Sequence, residues 1–388
     1  MSIVVIQECK KYSIEDMTTK INNGIEKLGG WDEYIKPGDS VLLKVNLIGP
    51  KSSESAAITH SEFVKALTRI LKAKGCTVWI GDSSGGAIAG ISPTAQSFKV
   101  AGHEKVSKEE GAIIKNFDRE GVFEVEPKGK YKEKMYIAKP VFDADVVINL
   151  PKLKTHSATI YTGAVKNVFG CIPGLRKAMY HKIAPDKEDF GEILTDIHKA
   201  AKFDLHIMDG IISMQGEGPT AGSVYNANKI LISKDPLALD TVAIKMLGMT
   251  VEDIPILSAA RKRNLGKFVL DDIKIEGDYN YIPELKNYKL PKAYRSGKSR
   301  NSKSVIKVID FFKTKPIINK KKCKECNICV ESCPIKAIDI NTKKIDYNIC
   351  IECMCCHELC MHKAVNLKKD NILADIIIRL TQILSPRG

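Results

Sequence analysis

The sequence predicts an α/β protein, a layered and largely parallel sheet with helices on both faces, followed by a small C-terminal α+β domain built around cysteines. Three observations lead there. Strand-like and helix-like stretches alternate from the N-terminus to about residue 270, as they do when parallel strands are joined by crossover helices. At 388 residues the chain is longer than one average domain. Of its 12 cysteines, only Cys9, Cys76 and Cys171 are scattered; the rest crowd into residues 323–360.

Taken in order, residues 2–7 read as a short apolar strand and 14–28 as a helix. Pro37-Gly38-Asp39 turns the chain into a strand at 41–45. Residues 59–74 predict a helix, because Thr59 and Glu62 make a capping box and Gly75 closes the C-terminus. A strand at 76–80 ends at Gly81-Asp82, and Ser92-Pro93 opens the next helix. Strands are expected at 145–150, 205–208 and 229–232, with helices at 188–201 and 236–247. Residues 122–126 and 135–138 read as a hairpin inserted at about 118–140. This first domain covers 1–280. Residues 281–314, rich in Lys, Tyr, Pro and Ser and without periodicity, read as a basic linker. The cysteine domain follows at 315–368. A tail at 369–388 holds a short amphipathic helix at 372–384, a packing element rather than a membrane anchor.

A net charge of +14 admits nucleic acid, an acidic membrane surface, acidic proteins or an anionic substrate as partners. No nucleic-acid motif is present, and 6% aromatic residues provide few stacking platforms, which sets nucleic acid aside. The N-terminus shows no charged leader followed by an apolar stretch, and no run approaches the roughly 18 apolar residues of a spanning helix. A cytoplasmic protein without a membrane span is expected. In that compartment thiols stay reduced, and clustered cysteines bind metal.

Cys323, Cys326, Cys329 and Cys333 stand as C-x2-C-x2-C-x3-C with Pro334 directly after, and Cys350, Cys353, Cys356 and Cys360 repeat the spacing. Three thiolates in a tight loop hold three corners of a cubane, and the fourth iron is held from further away. Zinc is the alternative, but it takes four ligands as separated pairs, and eight cysteines in two compact runs over-supply it. Residues 315–367 resemble the bacterial two-cluster 4Fe–4S ferredoxins. The resemblance implies crossed ligation: Cys323, Cys326, Cys329 and Cys360 hold one cluster, and Cys350, Cys353, Cys356 and Cys333 the other. Met361 departs from that family's proline, and Cys355 is an extra thiol, read as a spare, with competition with Cys356 as ligand the alternative.

In the large domain, polar and glycine-rich segments follow predicted strands, where open α/β sheets bind ligands. They are Asn46, the run Gly81-Asp-Ser-Ser-Gly-Gly86, the loop from Asn149 to His156, Asp209-Gly210, and Gln215-Gly-Glu217-Gly-Pro. Lys152, Lys154, His156 and Lys166, with Arg176 and His181, make an electropositive pocket for a carboxylate or phosphate, against the alternative of solvated loops. Lys154, His156 and Lys166 are the candidate catalytic residues, His156 as general acid or else a hydrogen-bonded structural residue. Asn46, Lys152, Asn167, Asp209 and Glu217 are the candidate substrate contacts. Asp209 and Glu217 are candidates for a cation or for helix caps, whereas Asp82 reads as a cap and Cys171 as buried structure. Residues 81–86 are not a Walker loop, since no Gly-Lys-Ser/Thr ends them.

Lys44-Val-Asn-Leu, Gly81-Asp-Ser-Ser-Gly, Pro151-Lys-Leu-Lys-Thr-His, the string from Thr162 to Gly174, and Asp209-Gly-Ile-Ile-Ser-Met-Gln-Gly-Glu-Gly-Pro also carry a resemblance. Over about residues 1–270 the chain is similar to the domain-of-unknown-function family 362, which often carries a C-terminal ferredoxin module. The resemblance implies a redox-linked cytoplasmic protein common in anaerobes. The expected function is an oxidoreductase that passes single electrons through two 4Fe–4S clusters to an anionic organic substrate or cofactor, with a redox partner protein as electron donor or acceptor. The alternative is a non-catalytic carrier or maturation partner.

Purified anaerobically, the chain is expected to hold about eight iron and eight sulfide. Cys355→Ser should keep that content and Cys356→Ser should lower it; the reverse result in iron analysis reassigns the ligand.

Overall fold

The computed structural model describes residues 1–85, 93–127, 129, 131, 134–157, 159–174, 176–184, 187–291, 294, 314–331, 333, 337–350, 356, 362 and 364–369. The chain divides into two compact units: Met1–Gly85, Pro93–Pro173 and Asp186–Arg300 in the first, and Gly86–Ser92, Gly174–Pro185 and Asn301–Gly388 in the second.

The first unit is built on strands β1 (Ser2–Glu8), β2 (Ser40–Lys44), β3 (Thr77–Asp82), β4 (Ile113–Asn116), β7 (Val146–Asn149), β8 (Lys152–His156), β9 (Ile160–Thr162), β10 (Leu205–Gln215), β11 (Ser223–Ser233) and β12 (Ile273–Gly277). A separate antiparallel hairpin is made by β5 (Val122–Val125) and β6 (Met135–Ala138). The main sheet runs β12-β1-β11-β10-β7-β2-β3-β4, with β8 on β10 and β9 on β8. Every pairing is parallel except those of β11 with β1 and β10 and that of β8 with β9.

Successive strand side chains point to opposite faces. Val41, Leu43, Val78, Ile80, Val146 and Ile148 share a core with Met17, Ile21 and Ile25 of α1 (Ile14–Glu26) and Phe63, Leu67 and Leu71 of α2 (Ser61–Ala73). Their neighbours Leu42 and Val147 are equally buried on the other face. Both faces are therefore covered, which is why these strands read as continuous apolar runs.

Two helix starts differ from expectation. The N-cap of α2 is His60, whose ring nitrogen accepts from Glu62 N–H at 3.2 Å. Thr59 is drawn away instead, accepting from Asn46 N–H and donating to the Leu150 carbonyl at 2.8 and 2.7 Å. In α3 (Thr94–Val100) the cap position is Pro93, with no side-chain cap bond; Ser92 lies outside the described residues. So do the tail helix expected at 372–384 and most of the expected linker beyond Pro291. Before that point, Leu285 N–H donates to the Met246 carbonyl and Tyr288 OH to the Met214 carbonyl, at 2.8 and 2.7 Å.

A larger difference concerns the segments expected as ligand-binding loops. Residues 152–156 and 209–215 are strands, the first wholly β8 and the second the continuation of β10. Asp209-Gly210 looks like a turn in sequence, but a register shift between Gly210 and Ile212 absorbs it as a bulge.

The second unit contains the antiparallel pair β13 (Thr314–Ile318) and β14 (Val365–Lys369). Its small core is Cys329, Ile338, Cys356 and Val365, with Ile318, Val330, Cys333 and Ile345 against it. No described helix in either unit is long and apolar enough to cross a membrane.

Gly163 immediately precedes α6 (Ala164–Asn167). A Cβ there would lie 2.0 Å from Asp240 Oδ1 and 2.4 Å from the Tyr161 ring. Gly163→Ala is expected to lower stability by about 1–3 kcal/mol through overpacking, read as an earlier urea midpoint with an unchanged slope.

Candidate functional site

Strand β8 is the spine of the site. Lys152, Lys154 and His156 stand two residues apart and so share one of its faces, a face turned into protein: Lys152 is 0% and Lys154 1% exposed. Burial lowers the pKa of both ammonium groups, and that of Lys154 falls well below the usual lysine range, helped by the charges of Lys166 and Lys152.

The two lysines meet different surroundings. Lys152 Nζ lies 2.7 Å from Asp209 Oδ2, its cross-strand neighbour on β10. Tyr12 OH donates to Asp209 Oδ1 at 2.7 Å and accepts from Lys152 at 2.9 Å. His60 N–H donates to Asp209 Oδ2 at 3.0 Å, and the His60 ring stacks on Tyr12 at 3.6 Å. Lys152 and Asp209, expected as substrate contacts, form a buried ion pair with each other.

Among the described residues Lys154 donates to the Ala57 carbonyl alone. Lys166, on α6, keeps some solvent contact but has no carboxylate partner among the described residues, and burial lowers its pKa to about 8. The short helix is held in place by Asp240, which accepts from Ala164 N–H and Val165 N–H at 2.7 and 2.9 Å and from Tyr161 OH at 3.0 Å. Burial lifts the Asp240 pKa to about 7 against the pull of those three donors.

Beside Lys166, Asn167 accepts from Asn46 Nδ2 at 2.8 Å and donates to Asn149 Oδ1 at 2.7 Å. Asn46 and Asn167 are thus bonded to each other beside Lys166 in the chain, and Lys166 lies close enough to Lys154 for their charges to interact. There is a second buried pair: Lys44 Nζ is 2.9 Å from Asp82 Oδ1, and Asp82 Oδ2 accepts from Leu47 N–H at 2.8 Å. Asp82, expected as a helix cap, is therefore an ion-pair partner. Gly170 leaves room for that pair, since a Cβ there would lie 2.1 Å from Asp82 Oδ1 and 2.6 Å from Lys44 Nζ. Its neighbour Cys171 is fully buried.

At the end of β8, His156 Nδ1 accepts from Thr159 N–H at 3.2 Å, so its Nε2 carries the proton of the neutral ring. Ser157 Oγ lies 3.3 Å from Glu217 Oε2. Arg176 and His181 belong to the second unit, on a helix at Arg176–Ile183.

Sequence reasoning missed Tyr12 and Asp240, and both left a signal. Tyr12 follows the end of β1, the side where α/β folds place ligands. Asp240 interrupts Pro-Leu-Ala-Leu-Asp-Thr-Val-Ala, and an acid inside an apolar helix requires a partner.

In the second unit, Cys323, Cys326 and Cys329 line one recess together with Asn327, Lys343 and His362. Glu325 and Asn327 adopt left-handed backbone, with φ of 53° and 59°, which wraps the loop around that recess. Glu325 N–H points at Cys323 Sγ at 3.4 Å and Ala337 N–H at Cys333 Sγ at 3.1 Å. Thiols spread around a recess, with backbone N–H groups directed at sulfur, fit the corner ligation of an iron–sulfur cubane. Among the described residues no three His, Cys, Asp or Glu side chains converge on the position of a single metal ion. Cys350 and Cys356 are described; Cys353, Cys355 and Cys360 lie outside the described residues.

Lys152→Met leaves Asp209 buried without its counter-charge and should cost about 3–5 kcal/mol. Lys154→Met removes a buried amine that has no carboxylate within ion-pair distance among the described residues and should leave stability unchanged or raised. The sign for Lys166 follows from its lowered pKa. Below pH 8 the folded and unfolded chains both hold the proton. Between about 8 and the ordinary 10.5 only the unfolded chain does, so stability climbs with pH in that window. Chemical denaturation of Lys166→Met across that range should show the climb reduced.

Known proteins agree with both halves of the chain. The domain of unknown function DUF362 matches residues 41–245, and a 4Fe–4S binding domain matches residues 316–339. The thylakoid-associated protein sll1697 of Synechocystis sp. is 33% identical over 270 residues, 68% of this chain and 79% of that protein. Among solved structures, one from Thermotoga maritima is 15% identical with a TM-score of 0.34, covering 53% of this chain and 52% of that one. The lactate racemase apoprotein of Thermoanaerobacterium thermosaccharolyticum is 10% identical with a TM-score of 0.37, covering 60% and 54%. The chain spans about half the length of each of these two structures. The chain belongs to the family of domain-of-unknown-function 362 proteins, and its C-terminal 4Fe–4S binding domain makes it an iron–sulfur electron-transfer protein.

Proposed function

We propose that the large unit binds an anionic organic substrate or cofactor at Lys154, Lys166, Asn46 and Asn167, and that the protein acts there as a ferredoxin-type oxidoreductase. One observation carries this reading: among the described residues the buried Lys154 and the half-buried Lys166 have no carboxylate within ion-pair distance, beside two other buried lysines that each have one. A fold that can pair Lys44 with Asp82 and Lys152 with Asp209 has the means to pair the other two. An oxyanion supplied from outside completes the set, and ammonium groups accept it as point charges without demanding a fixed geometry.

The assigned roles follow from placement. Lys154 and Lys166 bind the anion. Lys152, Asp209 and Tyr12 hold β8 and the loop after β1 in position. His156, with its proton on Nε2, is the proton donor, and Glu217 beside Ser157 lies at the same end of β8. Two 4Fe–4S clusters, held by Cys323, Cys326, Cys329 and Cys360 and by Cys350, Cys353, Cys356 and Cys333, supply single electrons when bound. The electrons come from a redox partner protein in the cytoplasm of an anaerobic cell, where the clustered thiols stay reduced.

Anion binding should draw protons onto Lys154 and Lys166, whose pKa values are lowered in the empty site. Calorimetry in buffers of different ionisation enthalpy should register proton uptake at neutral pH. Affinity should fall above pH 8, by up to about tenfold per unit as Lys166 deprotonates. Lys154→Ala and Lys166→Ala should weaken binding without changing iron content, and His156→Ala should slow turnover more than binding. An anion affinity that stays flat from pH 7 to 10 rejects the site.

A further inference from the structure

The side chain of Asn46 narrows the class of ligand. Three buried amides form a directed relay. Asn46 Nδ2 donates to Asn167 Oδ1, Asn167 Nδ2 donates to Asn149 Oδ1 at 2.7 Å, and Asn149 Nδ2 donates to the Ala164 carbonyl at 2.9 Å. Asn167 Nδ2 also reaches the Val45 carbonyl at 3.2 Å, and Asn149 Nδ2 lies 3.0 Å from His206 Nδ1. Turning Asn46 over would set oxygen against oxygen at the first link, so the relay fixes which end of the amide points where.

The backbone fixes Asn46 as well. Its N–H donates to Thr59 Oγ1 at 2.8 Å, and its carbonyl accepts from Thr59 N–H at 3.1 Å. Its Oδ1 is left buried with no hydrogen-bond partner among the described residues, in a residue only 8% exposed. A buried acceptor without a partner costs about 1–3 kcal/mol, and such groups in native folds call for an explanation.

This orphan belongs to the same framework as the two unbalanced lysines. Thr59 lies two residues from Ala57, whose carbonyl takes Lys154, and Asn167 adjoins Lys166. Cations that need an anion and an acceptor that needs a donor are therefore held together. The donor is a hydroxyl rather than an amine, since an ammonium beside Lys154 and Lys166 would be repelled.

We propose that the ligand is a small oxyanion bearing a hydroxyl, a hydroxycarboxylate or a hydroxyl-bearing phosphate ester, with the oxyanion on Lys154 and Lys166 and the hydroxyl donating to Asn46 Oδ1. This rests on the anion site proposed above and specifies what occupies it.

The test compares matched probes on the intact, cluster-loaded chain by calorimetry: glycolate against acetate for the carboxylate arm, and glycerol phosphate against propyl phosphate for the phosphate arm. In at least one arm the hydroxylated member should bind about tenfold tighter or better, because a site built around a hydroxyl leaves its own acceptor unpaired with the analogue. Asn46→Ala should bring the two members of that arm together, and Lys166→Met should weaken both alike. Equal affinity within both arms overturns the inference and leaves the anion site standing. Binding of none of the four probes overturns both. The comparison of probes on the wild-type chain decides the matter even where Asn46→Ala fails to fold.

Discussion

Taking a lysine ammonium out of water is the constraint around which the large unit is organised. Desolvation disfavours the charged form, and a protein answers with a carboxylate, a lowered pKa or a ligand. The first two answers meet around β8, and the third is the one proposed for it. Lys152 and Lys44 have carboxylates at 2.7 and 2.9 Å. Among the described residues Lys154 and Lys166 have none at such a distance, and their pKa values fall. The pairing of β8 with β10 makes this arrangement possible, because it turns the lysine-bearing face of β8 inward and sets Lys152 directly across from Asp209. Without that register the same residues would be ordinary surface lysines.

The surrounding structure holds the unbalanced pair in place. Asp240 and Gly163 set the start of α6 and so the position of Lys166. The Asn46–Asn167–Asn149 relay ties α6 to β2 and β7 through side chains that are themselves buried. Gly170 allows its chain to lie against the Lys44–Asp82 pair with no Cβ in the way. Each of these features spends local freedom on the same few ångströms, as expected of a preorganised site and not of a surface that happens to be basic.

Much of the fold was legible because its signals are local. Apolar runs at 41–45 and 145–150 and the amphipathic stretch of α2 announce themselves over a few residues. The candidate site was legible as a set of residues but not as a geometry. Lys-Leu-Lys-Thr-His reads as a loop, since a strand with lysines alternating around one leucine suggests the lysines face water. Only the tertiary presence of Asp209 and Tyr12, separated from Lys152 by 57 and 140 positions, makes the inward orientation tolerable. The bulge at Asp209-Gly210 was misread for a related reason: Asp-Gly has the chemistry of a turn, and whether it becomes one depends on a partner strand. Thr59 likewise carries the sequence of a cap but is used to anchor Asn46, leaving the cap to His60.

The second unit obeys a different physics. Among the described residues its hydrophobic core includes Cys329 and Cys356, with Cys333 against it. Thiols are poor substitutes for the branched side chains that fill larger cores. When cluster ligands are also core residues, metal binding and folding are one event. The cysteine spacing is therefore a folding instruction as much as a binding motif, which explains why it was the most readable feature of the chain. Large-unit strands such as β2 and β3 draw instead on an extensive aliphatic core that contains none of the cluster cysteines. Iron content thus reports on the integrity of the second unit alone, whereas anion affinity reports on the lysine constellation. The two readouts can be moved independently by mutation, and that independence is what allows an effect on the ligand site to be told from loss of a cluster.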